Sequence, residues 1–301
     1  MKVARKQKQE KEVDTRSFKS KVLAFLKEFG IVFGAFLVLN NFVIASFLVP
    51  TGSMENEVMT GDLLFVNKFI YGGTSPRNIP FTNVRLPWFR VPGFRDVHRG
   101  DVIVFVWPGY RDDIVSEDFM FYLKRCVGLP GDTIRVINRV LYVDGKPAPL
   151  PRNMHFSFPR MSNTTAADER IFPNGTPWSE DNYGPLVIPK KGMVVSVNKD
   201  NLQRWDTFIK REGHTVALRG DQIAVDGKQV TEYVVQQDYL FGMGDHRDNS
   251  LDSRYWGFIP RENLVGTPLI AYWSWDTDIP IYNIFAKLGS VRLNRIGSVI
   301  K

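Results

Sequence analysis

The chain has 301 residues, a single cysteine, four scattered histidines and a formal net charge of +7. One cysteine cannot form an internal disulfide, and these histidines and Cys126 fall at no usual metal-ligand spacing, so no metal site and no zinc chemistry are expected. Much of the positive charge belongs to an N-terminal arm, which argues against nucleic acid as a partner.

Residues 1–28 carry Lys2, Arg5, Lys6, Lys8, Lys11, Arg16, Lys19, Lys21 and Lys27 against Glu10, Glu12, Asp14 and Glu28. They read as a solvated basic arm. The next segment, FGIVFGAFLVLNNFVIASFLV from Phe29 to Val49, holds no charge. As a helix rising about 1.5 Å per residue it reaches roughly 30 Å, the thickness of a bilayer's hydrocarbon core. A removable secretory signal has a shorter apolar region ending in a cleavage site, and a soluble core helix rarely runs so long without a charge. The segment therefore reads as one transmembrane helix, with Asn40 and Asn41 hydrogen-bonding within it or to a neighbour. Excess Lys and Arg stays on the cytoplasmic side, so the chain beyond residue 50 is expected outside the cytoplasm. Pro50-Thr51-Gly52-Ser53-Met54 follows at once and places a hydroxyl, on a Pro/Gly turn, at the membrane surface.

About 250 residues remain, enough for one large or two ordinary domains. Short runs rich in Val, Ile, Phe and Tyr recur between turn signals: DVIVFVW (101–107), TIRVI (133–137), VLYVDG (140–145), MVVSVN (193–198) and QIAVDG (222–227). This is a mostly β pattern, with no long amphipathic helical pattern beside it. GDTIRVINRVLYVDGK (131–146) aligns without a gap to GHTVALRGDQIAVDGK (213–228), which predicts two similar hairpins, each ending in an Asp-Gly turn. Between them lies an extended stretch rich in Pro, Asn and Gly.

Four segments carry the polar chemistry: PTGSMENEVMTGD (50–62), RGDVIVF (99–105), YLKRCVGLPGD (122–132) and GMGDHRDNSLDSRYWG (242–257). A serine hydroxyl needs a base beside it at neutral pH. A desolvated lysine can serve, since burial disfavours its charged form. From a reference near 10.4, a shift of about three units costs roughly 4 kcal/mol. Lys124 lies in the apolar run FMFYLKRCVG. On a strand Tyr122, Lys124 and Cys126 share one face, and Leu123, Arg125 and Val127 the other, where Arg125 would reach solvent. Cys126 is expected to be buried. A snorkelling lysine at a strand edge fits this segment as well. Asp245, Arg247, Asp248, Asn249, Ser250, Asp252, Ser253 and Arg254 crowd the fourth segment as either a buried charge network or a solvated turn.

In this order, behind a membrane span, the four segments resemble the bacterial type I signal peptidases, and Trp273-Ser274-Trp275-Asp276 and Arg295-Ile296-Gly297 extend the similarity. The resemblance implies a β-rich catalytic domain carrying a β-rich insertion, with no cofactor. It implies Ser53 as nucleophile and Lys124 as general base, with Thr51 and the Ser53 amide holding the oxyanion. Ser250 would orient the lysine, and Asp245, Arg247, Asp252 and Arg254 would brace the site. Val49, Pro50, Met54, Val58, Tyr122 and Leu123 would line pockets for small substrate side chains. The implied organisation is a cytoplasmic arm (1–28), a transmembrane helix (29–49), a catalytic domain in two parts (50–137 and 232–301) and an insertion (138–231). Such a protein would sit in the cytoplasmic membrane and cleave signal peptides of exported preproteins after Ala-x-Ala, with lipid and the export machinery as further partners.

Two departures stand out. Glu55-Asn56-Glu57-Val58 replaces the usual x-Pro-Thr-Leu, and His246 stands where asparagine is usual. His246 is thereby a rival base for Ser53. Two rival functions also stand at this level. One is another Ser–Lys protease of this fold, such as a self-cleaving repressor. The other is a non-enzymatic, membrane-anchored β module that binds exported chains.

Overall fold

The computed structural model describes residues 18–79, 82, 84–159 and 167–301. Most of the basic arm, from Met1 to Ser17, lies outside the described residues, as does part of the Pro- and Asn-rich stretch.

Helix α1 (Phe18–Val38) continues through a π-helical stretch, Leu39–Val43, and neither part has a buried residue. The combined 26 residues are apolar enough to cross a membrane. At about 1.5 Å per residue they span about 39 Å, more than the roughly 30 Å hydrocarbon core. Lys19, Lys21 and Lys27 lie in the N-terminal half, where long side chains can snorkel to the interface.

The helix thus begins before Phe29 and stops short of Val49. Residues Ile44–Leu48 form strand β1 instead. An apolar run alone cannot distinguish a helix from a buried strand. Here the choice is made by a distant partner, β2 (Asp62–Asn67), which pairs antiparallel with β1 from Ile44↔Asn67 to Leu48↔Leu63. Lys68 secures the junction: its Nζ donates to the Asn40 carbonyl at 3.1 Å and its backbone N–H to that of Val43 at 2.9 Å.

Strands β3 (Val102–Val106) and β4 (Phe121–Gly128) follow. The chain then builds β5 (Thr133–Ile137), β6 (Val140–Val143), β7 (Lys146–Pro147), β8 (Tyr183–Val187) and β9 (Val194–Ser196). Helix α2 (Leu202–Arg211) precedes β10 (Val216–Arg219), β11 (Gln222–Val225), β12 (Lys228–Val230) and β13 (Glu232–Val234). Next come β14 (Tyr239–Met243), helix α3 (Ser253–Trp256), β15 (Ile259–Pro260), β16 (Leu264–Ser274), helix α4 (Ile284–Gly289) and β17 (Ser298–Val299).

The large sheet runs β1-β2-β16-β3-β4-β14-β15, with β17 on β16. Strand β3 is buried along its whole length because both faces are covered. Val102, Val104 and Val106 enter one core with Val49, Met54, Val58 and Leu64, while Ile103 and Phe105 enter another with Tyr71, Cys126, Trp256 and Leu264. The chain leaves this sheet after Gly128 and returns at Tyr239. Both β5 and β13 pair within small sheets, β7-β6-β5-β8 and β13-β9, so the divisions expected at 137 and 232 fall inside the small-sheet region.

The two repeats form matching hairpins, β5–β6 and β10–β11. In each, the aspartate of the Asp-Gly turn sits at positive φ (Asp144 49°, Asp226 50°). Each carboxylate accepts the backbone N–H of the threonine opening the hairpin, both at 2.9 Å. Helix α2 was not expected. Its apolar residues Leu202, Trp205, Phe208 and Ile209 recur at helical spacing and pack on the small-sheet core, but they are diluted in a polar ten-residue stretch.

Candidate active site

Ser53 sits in the loop that closes the β1–β2 hairpin. The loop is pinned at its base by Val49 N–H donating to Asp62 and Gly61 N–H to Val49, both at 2.9 Å. Gly61 has φ +90°, and a Cβ there would strike the Trp275 carbonyl, so only glycine closes the loop this tightly. The Asp62 carboxylate accepts Met59 N–H at 2.9 Å and pairs with Arg295 at 2.6 Å. Val58 N–H donates to the Met54 carbonyl at 2.8 Å, which holds Ser53 and Met54 against the sheet.

Lys124, on β4, opposes Ile103 of β3. Its face carries Tyr122 and Cys126, as strand alternation predicts, and its Nζ lies 5.7 Å from the Tyr122 ring centroid. Nζ donates to Ser53 Oγ at 2.5 Å, with Lys124 4% and Ser53 8% exposed. Burial lowers the Lys124 ammonium to about 8; Arg254 acts in the same sense, and Asp252 and Asp245 oppose it. Among the described residues Lys124 forms no ion pair. An amine with this environment is partly neutral near neutral pH and can take a proton from the hydroxyl it touches. Burial pushes the Cys126 thiol up, which leaves it an inert core group.

The polar fourth segment is a buried charge network. Asp245, Arg247, Asp252 and Arg254 are all buried. Arg254 grips Asp252 through Nε at 2.9 Å and NH2 at 2.8 Å, and NH2 also reaches the Arg247 carbonyl at 2.6 Å. Burial pushes the Asp252 carboxyl up, but Arg254 and the Gly244 N–H more than reverse this and hold it below the usual carboxylate range. Asp252 also caps α3 through Arg254 N–H. At Gly244 a Cβ would strike the Ser250 hydroxyl and the Ser53 carbonyl, so this glycine lets the segment lie directly on the serine loop.

Arg125 does not reach solvent. It is buried, and its Nε and NH2 bind the two oxygens of Asp245 at 2.8 and 2.5 Å, while NH1 donates to the Gly100 and Lys301 carbonyls. The partner lies 120 residues along the chain, beyond the reach of strand alternation.

A cleft of about 650 Å³ opens above the dyad. Val49, Pro50, Thr51, Ser53, Met54, Tyr122, Leu123, Lys124 and Ser250 line it. Val58 does not: it is fully buried in the core beneath, because its loop turns inward after Met54. The structure adds Phe47, Leu48, Leu64, Val104, Met120, Phe121, Asn249 and Leu251 to the wall. The reading of Phe47 and Leu48 as membrane helix had hidden them. Thr51 is exposed at the cleft, and the buried Ser250 hydroxyl has no hydrogen-bond partner among the described residues.

His246 is not placed as a base for Ser53. Its backbone N–H donates to the Ser53 carbonyl at 3.1 Å, while its ring Nε2 lies 2.5 Å from Ser157 Oγ. The other departing residues are anchored as well. Glu57 is buried and accepts from Asn153 Nδ2 and the Lys301 N–H, both at 2.6 Å, and Glu55 lies 3.3 Å from His246 Nδ1.

A serine hydroxyl touching a desolvated lysine amine, at the floor of an apolar cleft, is a site suited to acyl transfer by a Ser–Lys pair. The family model for signal peptidase, peptidase S26, matches residues 22–273. The signal peptidase I of Pseudomonas aeruginosa is 30% identical over 88% of this chain and 78% of its own length. That of Rickettsia typhi is 30% identical over 86% of this chain and 87% of its own, and that of Buchnera aphidicola from Schizaphis graminum 29% over 91% and 82%. The chain belongs to the signal peptidase family, peptidase S26. It is a membrane-anchored serine endopeptidase with a mostly β fold, which sets aside the binding-module and repressor readings.

Proposed function

We propose that the chain cleaves signal peptides from exported preproteins with Ser53 as nucleophile and Lys124 as general base. The observation that carries this reading is the 2.5 Å contact between Lys124 Nζ and Ser53 Oγ, made where burial has lowered the lysine to about 8. Neutral Nζ takes the hydroxyl proton as Oγ attacks the scissile carbonyl, and then delivers it to the leaving amine. Water, deprotonated by the same amine, releases the acyl group. The Ser53 N–H and the Thr51 hydroxyl stabilise the oxyanion. The Ser250 hydroxyl, unpaired among the described residues and lining the same cleft, is the partner available to the amine once Ser53 is acylated. Asp245, Arg247, Asp252 and Arg254 position this floor.

The substrate lies extended along the cleft beside β1, the edge strand of the large sheet, where backbone pairing can hold it. Alternate side chains of such a strand face the wall formed by Val49, Met54, Tyr122 and Leu123. Small residues at the first and third positions before the scissile bond fit this wall. Charged ones lose their hydration there. The basic arm stays cytoplasmic, and the large and small sheets lie on the outer side of the cytoplasmic membrane in contact with lipid, near the export machinery. Residues before Gly128 and after Tyr239 form the catalytic body, and the intervening small sheets form the insertion.

The test is cleavage of a purified preprotein. Ser53→Ala should abolish it. Changing the residue before the scissile bond from Ala to Leu, Phe or Asp should lower kcat/KM at least about tenfold, about 1.4 kcal/mol of transition-state binding, with the second position tolerant. Equal cleavage after Ala and after Phe would defeat the pocket assignment.

A further inference from the structure

We propose that Glu55, His155 and His246 form a binding site for a divalent transition-metal ion, Zn2+ by ligand type, that clamps the Ser53 loop to the segment 245–248. Each of these residues offers a ligand atom within 4.8 Å of the others. Their meeting is built by the backbone. His155 and His246 lie side by side in a parallel bridge, with His155 N–H donating to the Asp245 carbonyl and Arg247 N–H to that of His155, both at 3.0 Å. The two rings stand 4.1 Å apart.

His246 supplies the observation that points to a ligand. Its side chain is 5% exposed, and its Nδ1 is buried without a hydrogen-bond partner among the described residues. That bare nitrogen faces Glu55 Oε2 at 3.3 Å. Two ligands on a tetrahedral ion with bonds of about 2.0–2.1 Å are separated by about 3.3 Å, so this pair already has the spacing of one edge of such a site. The other ring nitrogen is held as metal-bound histidines usually hold theirs. Nε2 meets Ser157 Oγ at 2.5 Å and lies 3.5 Å from the buried Asp248 carboxylate; a proton held on Nε2 by these oxygens would leave Nδ1 free to ligate. Glu55 and His155 are only part-buried. His155 Nδ1 already meets Asn56 Nδ2 at 3.1 Å, so its ligation uses Nε2 or displaces that amide, and a water can complete the shell.

The changed segment 55–58 and the other departure, His246, meet at this one place through Glu55, and His155 comes from a segment far from either. No ligand spacing in the sequence could have shown it. The ion would be structural: Glu55 lies two residues from Ser53, and His246 N–H holds the Ser53 carbonyl. The proposal does not depend on the catalytic assignment, since the Lys124–Ser53 contact uses none of the three residues.

The experiment uses the full chain in detergent micelles, stripped with a chelator and titrated first with Co2+ and then with Zn2+. Wild type should bind one Co2+ with the visible absorption of a four-coordinate nitrogen and oxygen site, lost when equimolar Zn2+ displaces it. His155→Gln and Glu55→Gln should each weaken binding at least tenfold, with circular dichroism melts of the metal-free forms reporting that they are folded. Two part-buried positions are used so that a folding failure in one leaves the other decisive. Binding as tight in both variants as in wild type would place the ion on other groups, and no saturable binding would remove the site; either overturns the proposal.

Discussion

Lys124 and Arg125 are adjacent cations on β4, both almost wholly buried, and the fold treats them in opposite ways. Arg125 meets a carboxylate in a two-pronged pair and spends its remaining donor on carbonyls. Lys124 is given a hydroxyl and aromatic and aliphatic walls, and no ion pair among the described residues. A guanidinium stays charged under any such burial, so it needs compensation. An ammonium can lose its proton, and leaving it uncompensated makes the free amine available as a proton acceptor near neutral pH. The difference separates a brace from a base within two residues of one strand.

The strongest way to break the comparison is to remove the lysine. Lys124→Met keeps the stem and the burial but has no proton acceptor, and preprotein cleavage should fall by at least about a thousandfold, roughly 4 kcal/mol in the barrier. Lys124→Arg should fail equally, since a guanidinium cannot become neutral there. A basic limb near pH 8 should appear in the wild-type rate profile, with activity rising as the amine loses its proton. His246→Asn should leave that limb in place. A limb that moves with His246, or substantial turnover by Lys124→Met, would transfer the role of base elsewhere.

Breaking the other half of the comparison should cost stability. Arg125→Met strands the buried Asp245 carboxylate, which destabilises by about 3–5 kcal/mol. Asp245→Asn should cost less, because the buried Glu57 carboxylate still lies 3.9 Å from the Arg125 guanidinium. The double replacement Arg125→Met with Asp245→Leu should recover part of that loss, because Asp245 is no longer stranded and only the 3.9 Å contact with the buried Glu57 carboxylate is lost. Denaturant melts of the three variants check this. Additive losses in the double variant would mean that the two residues act independently.

The same contrast shows what the sequence could carry. The alternation of β4 and the strand DVIVFVW are local patterns, and the structure has them as read. The repeats were legible because an Asp-Gly turn imposes its own geometry. Misreadings came where a distant partner decides. Arg125 looked exposed because Asp245 lies 120 residues away. Ile44–Leu48 looked helical because β2, which claims it, follows a loop later. The resemblance implies a pocket role for Val58, yet the loop folds it inward. The Glu55, His155 and His246 cluster draws on three segments and has no signature in any of them.

The smallest expected effect tests the comparison most directly, because it separates the cost of burying Lys124 from its use. In the unfolded chain the amine titrates near its ordinary 10.5, and in the folded chain near 8. Below pH 8 both states hold the proton, and the folded state carries the full cost of a buried charge, about 3 kcal/mol for a shift of this size. Between about 8 and 10.5 the unfolded state binds more protons than the folded one, so wild-type stability should rise with pH across that window. Above it the cost is gone. Lys124→Met has no such proton to lose. It should therefore be more stable than wild type at pH 7, by up to about 3 kcal/mol, and the advantage should shrink through pH 9 and vanish near 10.5. Thermal or denaturant melts of both proteins at these pH values measure the difference, in which the titrations the two proteins share cancel. A gap that stays constant with pH would mean that Lys124 is solvated and charged in the folded protein, and the contrast with Arg125 would then be lost.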